Sequence, residues 1–557
     1  MTATWERRKI LDTACSRARL GRFGFVRRRL AGLDAVVALL VCASAIPAQV
    51  TYNRLVHAIE EPQNWLTYWG DYSGMRYRNL DKINTRNVKD LRLQWMFQTG
   101  KGGVLETVPL VIDGIMYATL GDGQAVAIDA RSGRPVWSYH HDFPAGRNTS
   151  GVNRGFAILG ERLFMVTPDS NLIALNIRDG RLLWKVEMAP YKAGTHYATL
   201  APLVVKDKVL VGISGGEQAV RGFIDAYDVA TGKQVWRFWT IPGPGEPGGD
   251  SWLGDSWMRG GGPAWMTGTY DPDLNTTYWG IGNPGPDLYG DVRKGDNLYS
   301  CSLVALDPDT GKLKWHFQFT PHDLHDWDAA ETPVLLNLNW RGRERKLVVQ
   351  ANRNAFFYVL DRETGEFLMG KPFAAQTWAK GLDDKGRPVL LPNNEPTADG
   401  TRTCPGLAGG TNWMAPSYNP QTKLFYFAVR EQCDVYYTAP PAYVEGKPYW
   451  GSVFRGATGE QGYGMLKAID PLTGETKWDF HYYQPPWGGT LSTSGGLVFS
   501  GDEDGYFMAF DAATGKNLWK INTGSRVVTA PITYMVNGKQ FITMPSGSAI
   551  LTFALPD

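Results

Sequence analysis

The sequence predicts an all-β protein, an eight-bladed β-propeller built from tryptophan-docking repeats. The chain holds 64 Gly and 21 Trp among 557 residues, a composition that favours short strands joined by tight turns. A hairpin-like repeat also recurs at intervals of roughly 40 to 50 residues, which is the spacing of propeller blades. Because a chain this long exceeds the usual size of one hydrophobic core, radial repetition also explains how it can fold.

Each repeat has the same order of residues. An Asp or Asn follows an apolar residue, a turn containing Gly comes next, and a Trp or Met lies eight positions after the Asp. The Asp can bond the turn backbone, the Gly accepts a left-handed conformation, and the next strand carries the Trp outward to a neighbour. Each copy therefore predicts a β-hairpin. The seven copies begin at Asp129, Asn176, Asp228, Asp307, Asp361, Asp470 and Asp511.

Seven copies would end seven blades, and the chain after Trp519 would supply the inner strands of the eighth. Asn87 to Trp95 keeps only the spacing and the second strand of the repeat, so we expect Leu91 to Trp95 to close blade eight. Pairing the two termini in this way removes the open sheet edge of a linear array. The longer intervals, 79 residues after the third copy and 109 after the fifth, are interpreted as loop insertions. The alternative is an unclosed set of β-sandwiches.

Residues 1 to 49 are interpreted as a secretory signal, and residues 50 to 557 as a single propeller domain. A basic region ends at Arg27 to Arg29, and the apolar run from Val36 to Ile46 has eleven residues. A membrane span needs about 20, so we expect cleavage, a periplasmic protein and no membrane span in the mature chain. A start codon placed too far upstream and a twin-arginine signal are left open.

The charge of the mature chain argues against a nucleic-acid partner. Residues 1 to 49 contain nine Lys/Arg and three Asp/Glu, and their removal changes the formal net charge from +2 to −4. No basic patch is evident in the remainder. The sequence also contains no Cys-x-x-Cys-His, so this chain is expected to carry no c-type haem of its own.

The loops between repeats contain motifs that no repeat requires. Several of them, in order along the chain, resemble the PQQ-dependent methanol and alcohol dehydrogenase family over essentially the whole mature chain, where PQQ is pyrroloquinoline quinone. Taken singly, each motif would be weak. The motifs are Asn-Trp-Leu-Thr-Tyr-Trp-Gly-Asp-Tyr-Ser at 64 to 73, residues 211 to 222, Gly-Asn-Pro at 282 to 284, Asn-Arg-Asn at 352 to 354 and Trp-Gly-Gly-Thr at 487 to 490.

The resemblance implies a metal site and a base. The family's metal ligands fall on Glu217, Asn283 and Asp326, and Asp326 is also the implied catalytic base. Asp328 would add a fourth oxygen ligand, as in lanthanide-using relatives. Carboxylate and amide oxygens suit a hard cation, so the resemblance implies one Ca²⁺ or lanthanide ion, with Asp328 favouring the lanthanide.

The resemblance also implies a PQQ pocket. Trp265 would form the floor under the flat quinone, and Arg154 and Arg353 would supply fixed positive charge to a tri-anionic cofactor. Taken singly, these side chains have ordinary structural explanations, namely propeller packing for a Trp and turn capping for a loop Asp. The full implied set is Glu106, Arg154, Thr167, Ser214, Gly215, Gly216, Glu217, Trp265, Arg353, Asn412 and Trp487.

Three positions depart from the family pattern. Thr149-Ser150 stands where many members have adjacent cysteines that form a disulfide ring over the quinone. Pro263 stands where methanol dehydrogenases have a Thr, and His325 replaces the usual aromatic residue before the catalytic Asp. The mature chain keeps Cys301, Cys404 and Cys433, and the matching family segment implies a Cys404–Cys433 disulfide.

The leading interpretation is a periplasmic PQQ-dependent dehydrogenase. It would oxidise a small primary alcohol by metal-assisted hydride transfer to the quinone, and a separate soluble c-type cytochrome would accept the electrons. One alternative is a PQQ-dependent sugar or polyol dehydrogenase. Another is a cofactor-free propeller that acts as a binding scaffold. Whether the chain forms a homodimer is left open.

Overall fold

The computed structural model describes residues 49–100, 103–144, 151–191 and 195–557. The predicted signal segment, apart from Gln49, and the Thr149-Ser150 pair lie outside the described residues. The described residues belong to one compact unit. Within them, no helix has both the length and the apolar character needed to cross a membrane.

Regular structure in the described ranges is almost entirely β-strand. One short α-helix, α1, spans Tyr52–Val56. The 3-10 turns are Ala58–Glu60, Val88–Asp90, Gly216–Gln218, Gly249–Ser251, Ser256–Arg259 and Asp291–Arg293. The strands of the first half are β1 (Tyr77–Arg78), β2 (Arg92–Gln98), β3 (Leu110–Ile112), β4 (Ile115–Gly121), β5 (Gln124–Asp129), β6 (Pro135–His140), β7 (Ala157–Leu159), β8 (Arg162–Val166), β9 (Asn171–Asn176), β10 (Leu182–Glu187), β11 (Leu203–Val205), β12 (Lys208–Gly212), β13 (Phe223–Asp228), β14 (Gln234–Trp239), β15 (Thr269–Asp271), β16 (Thr276–Gly280), β17 (Ser302–Leu306) and β18 (Leu313–Gln318).

The second half continues the same pattern of short strands. They are β19 (Val334–Trp340), β20 (Arg343–Ala351), β21 (Phe356–Asp361), β22 (Phe367–Pro372), β23 (Ala379–Leu382), β24 (Pro388–Leu390), β25 (Thr401–Thr403), β26 (Ser417–Asn419), β27 (Leu424–Glu431), β28 (Asp434–Tyr436), β29 (Phe454–Gly456), β30 (Tyr463–Ile469), β31 (Thr476–Tyr482), β32 (Leu491–Thr493), β33 (Leu497–Gly501), β34 (Tyr506–Asp511), β35 (Asn517–Asn522), β36 (Ile532–Val536), β37 (Lys539–Ser546) and β38 (Ala549–Ala554).

Apart from β1, which pairs with β32 in parallel, these strands form antiparallel sheets that follow the repeats in chain order, as expected for a propeller. Sheets 1 to 5 are β3–β6, β7–β10, β11–β14, β15–β18 and β19–β22. Sheet 6 is β26-β27-β30-β31, sheet 7 is β32–β35 with β1 beside β32, and sheet 8 is β36-β37-β38-β2. The small sheets β23-β24 and β25-β28-β29 occupy the 109-residue interval, which is therefore an insertion.

The predicted hairpins form at the repeats. In the copy that begins at Asp307, the Oδ1 atom of Asp307 accepts the backbone N–H groups of Asp309 and Thr310 at 2.9 Å each. Gly311 has φ +72°, a conformation that a residue with a side chain adopts at a cost. The turn then leads into β18, where Trp315 lies.

Repeat tryptophans form hydrogen bonds from one sheet to the next. The indole N–H of Trp137 in sheet 1 donates to the carbonyl of Ile177 after sheet 2's β9 at 2.9 Å, and Trp478 in sheet 6 donates to Ala512 in sheet 7 at 3.0 Å. The turn glycine lies against the same ring, because a Cβ on Gly180 would come within 2.5 Å of Trp137. Glycine is thus required for its conformation and also for the close approach of an indole.

The N-terminal strand pairs with the C-terminal strand. β2 lies antiparallel to β38, with Trp95 opposite Thr552. The indole N–H of Trp95 donates to the carbonyl of Ala130 in the turn of sheet 1 at 3.1 Å. The chain is therefore an all-β propeller in which sheet 8 contacts sheet 1.

Burial distinguishes the inner strands from the outer strands. The first five residues of β9 are buried, whereas β10 alternates between exposed and half-buried positions. This difference follows from the layered packing, because inner strands contact neighbouring sheets on both faces and outer strands face solvent. The repeat therefore positions a stack of rigid sheets, and the loops at their ends are free to carry chemistry.

The Cys404–Cys433 disulfide is present in the insertion of sheet 6, and Cys301 is a buried free cysteine. We expect a protein that begins at residue 50 to show one labelled thiol after unfolding without reductant, and three after reduction. Mass spectrometry of the alkylated peptides measures this directly. Labelling of all three cysteines in the unreduced, unfolded protein would contradict the disulfide.

Candidate active site

The predicted site residues occupy two kinds of position in the sheets. Arg154, Trp265 and Trp487 precede the first strand of a sheet, whereas Ser214 and Arg353 follow the second strand. In an antiparallel sheet the start of the first strand and the end of the second strand lie at the same end of the sheet. The topology therefore presents these side chains at one end of their sheets.

These loops enclose a cavity of about 310 Å³. Most of the residues that the resemblance implied as cofactor contacts lie in its wall, and Asp328 joins them. The lining residues are Glu106, Val152, Arg154, Tyr197, Thr199, Ser214, Gly215, Glu217, Pro263, Trp265, Asp328, Arg353, Asn412, Trp413 and Trp487. The wall is rich in indole rings and fixed charges, as a flat anionic ligand requires.

Two residues of the implied cofactor set are not in this wall. Thr167 lies in the turn before β9, where its hydroxyl donates to Asp169 at 2.5 Å and bonds the backbone of Asn171. The structure therefore corrects the placement of Thr167, which caps a turn instead of facing the cavity. Thr199 lies in the wall instead. Gly216 lies behind the wall, where a Cβ would come within 2.7 Å of Asn283 Oδ1.

Arg154 is fixed by charge and by aromatic rings. Its guanidinium lies 2.6 Å from a carboxylate oxygen of Glu106 and donates to Thr199 Oγ1 at 2.6 Å. It also lies 4.9 Å from the ring centre of Trp265 and 4.8 Å from that of Trp413. A cation held over two indoles in a desolvated site is strongly oriented. Arg154 can therefore present a fixed positive charge to the cavity.

The segment that carries Asp326 is held by turn hydrogen bonds and by packing. The carboxylate of Asp323 accepts the N–H groups of His325 and Trp327 at 3.2 and 3.0 Å. The ring of His325 stacks on Trp327 with centroids 4.4 Å apart, and burial lowers the pKa of His325 to about 4. A neutral His325 thus takes the packing role of the aromatic residue that it replaces, and Asp326 adopts φ +61°.

Arg353 links the two acidic residues of this segment. Its Nη2 atom lies 3.2 Å from Asp326 Oδ2, and Nη1 lies 3.2 Å from Asp328 Oδ2. Nη2 also donates to the carbonyl of Leu407 at 2.6 Å. Because Arg353 is only 4% exposed, its charge is poorly screened and orients both carboxylates.

Asp328 is bonded on both oxygens. Oδ2 accepts the indole N–H of Trp265 at 2.6 Å and Oδ1 accepts the backbone N–H of Asn283. Asp328 therefore connects the aromatic floor of the cavity to the Gly-Asn-Pro loop and, through the ion pair above, to Arg353. Any contact of Asp328 with a metal ion would share oxygens that already accept hydrogen bonds.

A cluster of three carboxylates lies at the edge of the cavity. Glu217, Asp287 and Asp326 each bring one oxygen within 4.8 Å of the others'. The amide oxygen of Asn283 is buried without a hydrogen-bond partner, as are Asp326 Oδ1 and Asp287 Oδ1. The structure thus brings Glu217 and Asp326 close to Asp287, and the Asn283 amide oxygen lies beside Gly216, which precedes Glu217.

The cluster favours protonation or a bound cation. Burial raises the pKa of Asp326 well above its usual range; Arg353 opposes this shift, whereas the charges of Asp328 and Glu217 add to it. Burial likewise raises the pKa of Asp287, and the charge of Asp326 adds to the effect. A cation at this site would keep these carboxylates ionised at neutral pH.

The sequence did not predict several residues that lie near the cavity. Tyr197, Thr199 and Trp413 belong to the wall, and Asp287 belongs to the acidic cluster. Trp413 directly follows the implied Asn412, and Asp287 lies four residues after Asn283. Trp413 and Asp287 could have been predicted from their proximity in sequence to residues that the resemblance implied.

Comparison with known proteins identifies the family. The family model for the β-propeller domain of PQQ-dependent glucose, ethanol and alcohol dehydrogenases matches residues 65–372 and 482–542. This match covers more than half of the chain. The chain belongs to the quinoprotein alcohol dehydrogenase family. It is an oxidoreductase, since the related quinoprotein alcohol dehydrogenases have that activity.

Full-length relatives support this assignment. The chain is 37% identical over 550 residues to the quinoprotein alcohol dehydrogenase PedH of Pseudomonas putida, and the match covers 94% of this chain and 92% of PedH. It is 37% identical to the lanthanide-dependent methanol dehydrogenase of Methylacidiphilum fumariolicum, with 89% and 86% covered. Among solved structures, a europium-containing methanol dehydrogenase superposes with a TM-score of 0.85 at 34% identity, covering 90% of this chain and 100% of that chain.

Proposed function

We propose that this quinoprotein alcohol dehydrogenase oxidises a small primary alcohol with PQQ and one Ca²⁺ or lanthanide ion. The observation that carries the proposal is the set of buried, unpartnered acceptor oxygens of Asn283 and Asp326 beside Glu217. Such oxygens are costly in a folded protein unless a donor or a cation satisfies them. They lie next to a cavity lined by indoles and arginines.

The cavity residues fit PQQ. Arg154 and Arg353 supply fixed cations for carboxylates, and Ser214 and Asn412 supply polar groups at the cavity edge. Trp265 offers a ring face whose orientation Asp328 fixes through the indole N–H. When bound, PQQ supplies a carbonyl that accepts the hydride of the alcohol carbon, and the ion supplies Lewis acidity.

Asp326 is proposed to act as the base. Arg353 bonds its Oδ2 atom at 3.2 Å and Oδ1 has no hydrogen-bond partner among the described residues; the carboxylate would take the hydroxyl proton of the alcohol while lying against the ion. A cation at the site would keep the Asp326 carboxylate ionised at neutral pH, as a general base requires. We propose Glu217, Asn283, Asp326 and Asp328 as the oxygens around the ion.

We further infer that the eight sheets form one closed ring of eight blades. The inference is supported by the pairing of β2 with β38 and by the contact of Trp95 with Ala130. Sheet 7 contacts sheet 8 as well, because the ring of Trp519 lies 5.5 Å from that of Phe553. A ring of this kind surrounds the cavity with loops from seven sheets.

We also propose export and an external electron acceptor. The basic and apolar pattern of residues 1 to 49 suggests a cleaved signal and a periplasmic enzyme. Electrons from the reduced quinone are proposed to leave to a separate soluble c-type cytochrome. Titration of the reduced enzyme with a purified c-type cytochrome tests this step.

Reconstitution tests the central proposal. We expect the protein from residue 50 to bind PQQ in the presence of Ca²⁺ or La³⁺, to show the absorbance of the bound quinone, and to oxidise primary alcohols with an artificial dye acceptor. Glu217→Gln should bind the metal more weakly, by about 10- to 100-fold, and should bind PQQ more weakly through the metal.

A matched control keeps this test specific. Glu363→Gln removes the same charge from an exposed position outside the cavity, and it should behave as the wild type. Absence of a bound-quinone band with either ion would reject the proposal and favour a cofactor-free scaffold. Turnover of sugars or polyols in place of simple alcohols would shift the substrate class to the alternative interpretation.

A further inference from the structure

Asp287 lies in the loop that follows Asn283, and its carboxylate has no hydrogen-bonding partner in the described part of the chain. The residue is 3% exposed, and its Oδ1 atom is buried and unpartnered. The loop itself is well anchored, since the N–H of Leu288 donates to the carbonyl of Trp450 at 2.7 Å. A fixed, buried carboxylate without a donor therefore faces its acidic neighbours.

The buried cation of the same loop, Arg293, makes no ion pair with this carboxylate. Arg293 is fully buried, but its guanidinium donates to backbone carbonyls of Pro286, Asp287 and Asp323 at 2.6 to 3.0 Å. Its remaining nitrogen donates to the Asn297 side chain at 2.8 Å. Arg293 thus shapes the loop, and its charge offsets that of Asp287 only in part, because its guanidinium bonds other oxygens.

An ionised Asp287 needs a positively charged partner. A buried charge without a counter-ion costs several kcal/mol even after relaxation of the protein, and the two other acids of the cluster increase that cost. The oxygens of Glu217, Asp287 and Asp326 lie within 4.8 Å of one another. Two ligands of one hard cation, each about 2.3 to 2.6 Å from it, can be no farther apart than about 5 Å. The spacing of the three oxygens therefore suits a single ion.

A second observation points to the same place. Asn283 is fully buried, and its amide oxygen is unpartnered. That oxygen lies beside Gly216, where a Cβ would come within 2.7 Å of it, and Gly216 directly precedes Glu217. A buried neutral acceptor without a donor thus lies beside the residue that precedes Glu217, as expected for a ligand and not for a salt bridge.

We propose that Asp287 is a direct ligand of the ion bound by Glu217, Asn283 and Asp326, and that its charge biases this site toward a trivalent ion. The inference rests on the proposed function. Glu217, Asp287, Asp326 and Asp328 place four carboxylates in the site, whereas Arg353 is the one cation paired to any of them within the described residues. The carboxylate of Asp287 makes this set more negative, which favours a trivalent ion over Ca²⁺.

The test measures metal affinity in the absence of turnover. Tb³⁺ bound near the indoles of the cavity should give tryptophan-sensitised luminescence, and La³⁺ and Ca²⁺ compete with it. We expect Asp287→Asn to weaken lanthanide binding at least about tenfold, since even outer partners of a metal site contribute 10- to 100-fold. Ca²⁺ affinity should fall less, so the preference for La³⁺ over Ca²⁺ should decrease. Asp291→Asn removes an exposed charge from the same loop and should change neither affinity.

Thermal unfolding separates a ligand from a structural residue. Without metal, Asp287→Asn should have an unchanged or higher Tm, because it removes an uncompensated buried charge, and the increase in Tm on adding La³⁺ should shrink. Equal affinities of Asp287→Asn and wild type for both ions would overturn the inference while leaving the proposed function intact. A wild type that binds no ion would instead reject the proposed function. If Asp287→Asn does not fold, Asp287→Ala is measured in the same way, and a lower Tm without metal for that variant would also overturn the inference.

Discussion

Replacing Asp326 with Asn should lower dye-linked alcohol oxidation by the PQQ-loaded enzyme by about 10²- to 10⁴-fold, the range typical of a general base. The amide cannot accept the hydroxyl proton, but it keeps the shape of the side chain. Asp326 adopts φ +61°, and Asn tolerates that conformation better than most residues. The backbone of the segment should therefore stay in place.

Two controls accompany this measurement. The absorbance of bound quinone and the metal content must be equal in wild type and Asp326→Asn, so that turnover is compared between loaded enzymes. Asp255→Asn changes an exposed aspartate and should retain full activity. Turnover close to that of the wild type in loaded Asp326→Asn would remove Asp326 from the role of base.

Asp328 is expected to control which metal supports activity. Wild type should be more active with La³⁺ than with Ca²⁺, and Asp328→Ala should lose most of its La³⁺-dependent activity. The alanine variant removes a negative charge beside the ion and also leaves Trp265 Nε1, the Asn283 N–H and Arg353 Nη1 without their acceptor. Each unsatisfied buried donor costs about 1 to 3 kcal/mol.

Asp328→Asn separates charge from hydrogen bonding. Its amide oxygen can still accept one of these donors, so the variant should fold more stably than Asp328→Ala while losing the same unit of charge. We measure turnover of each loaded protein with La³⁺ and with Ca²⁺. Equal Ca²⁺ activity in wild type and Asp328→Ala, with no response to La³⁺ in either, would mean that Asp328 does not choose the metal.

The repeat allowed the fold to be predicted from the sequence. The fixed distance from Asp307 to Gly311 and Trp315 reports a local hairpin, and local structure depends mainly on nearby residues. The second role of the turn glycine, which is to allow the close approach of an indole, could not be predicted. It depends on an indole from the preceding sheet, such as Trp137 against Gly180, and the two residues of each pair are joined only by tertiary packing.

The site could be predicted in part, because several of its residues lie in motifs that occur in order along the chain. Arg154, Trp265 and Arg353 lie in ordered motifs, and the structure places them in one cavity wall. Thr167 was misplaced because a Thr that caps a turn and a Thr that faces a ligand have the same local sequence character. Thr199 faces the cavity because of where its sheet lies, which spacing along the chain does not reveal.

Asp287 is the clearest example of a site residue that the sequence alone could not predict. In sequence it is an Asp after Gly-Pro, which is an ordinary turn residue. Its distinguishing properties are that Arg293 donates to backbone carbonyls instead of to its carboxylate and that Glu217 and Asp326 lie close by. These contacts join separate stretches of the chain, so only the folded arrangement exposes the uncompensated charge.

The pairing of β2 with β38 constrains the order in which the molecule can be completed. β2 is among the first strands to be synthesised, yet its hydrogen-bonding partner spans Ala549–Ala554 near the last residue. Until that partner emerges, β2 has an unpaired edge, and Trp95 has no complete sheet from which to reach Ala130. The last blade can therefore assemble only after Ala549 to Ala554 have been synthesised, so β2 must remain unpaired while the intervening seven sheets are made.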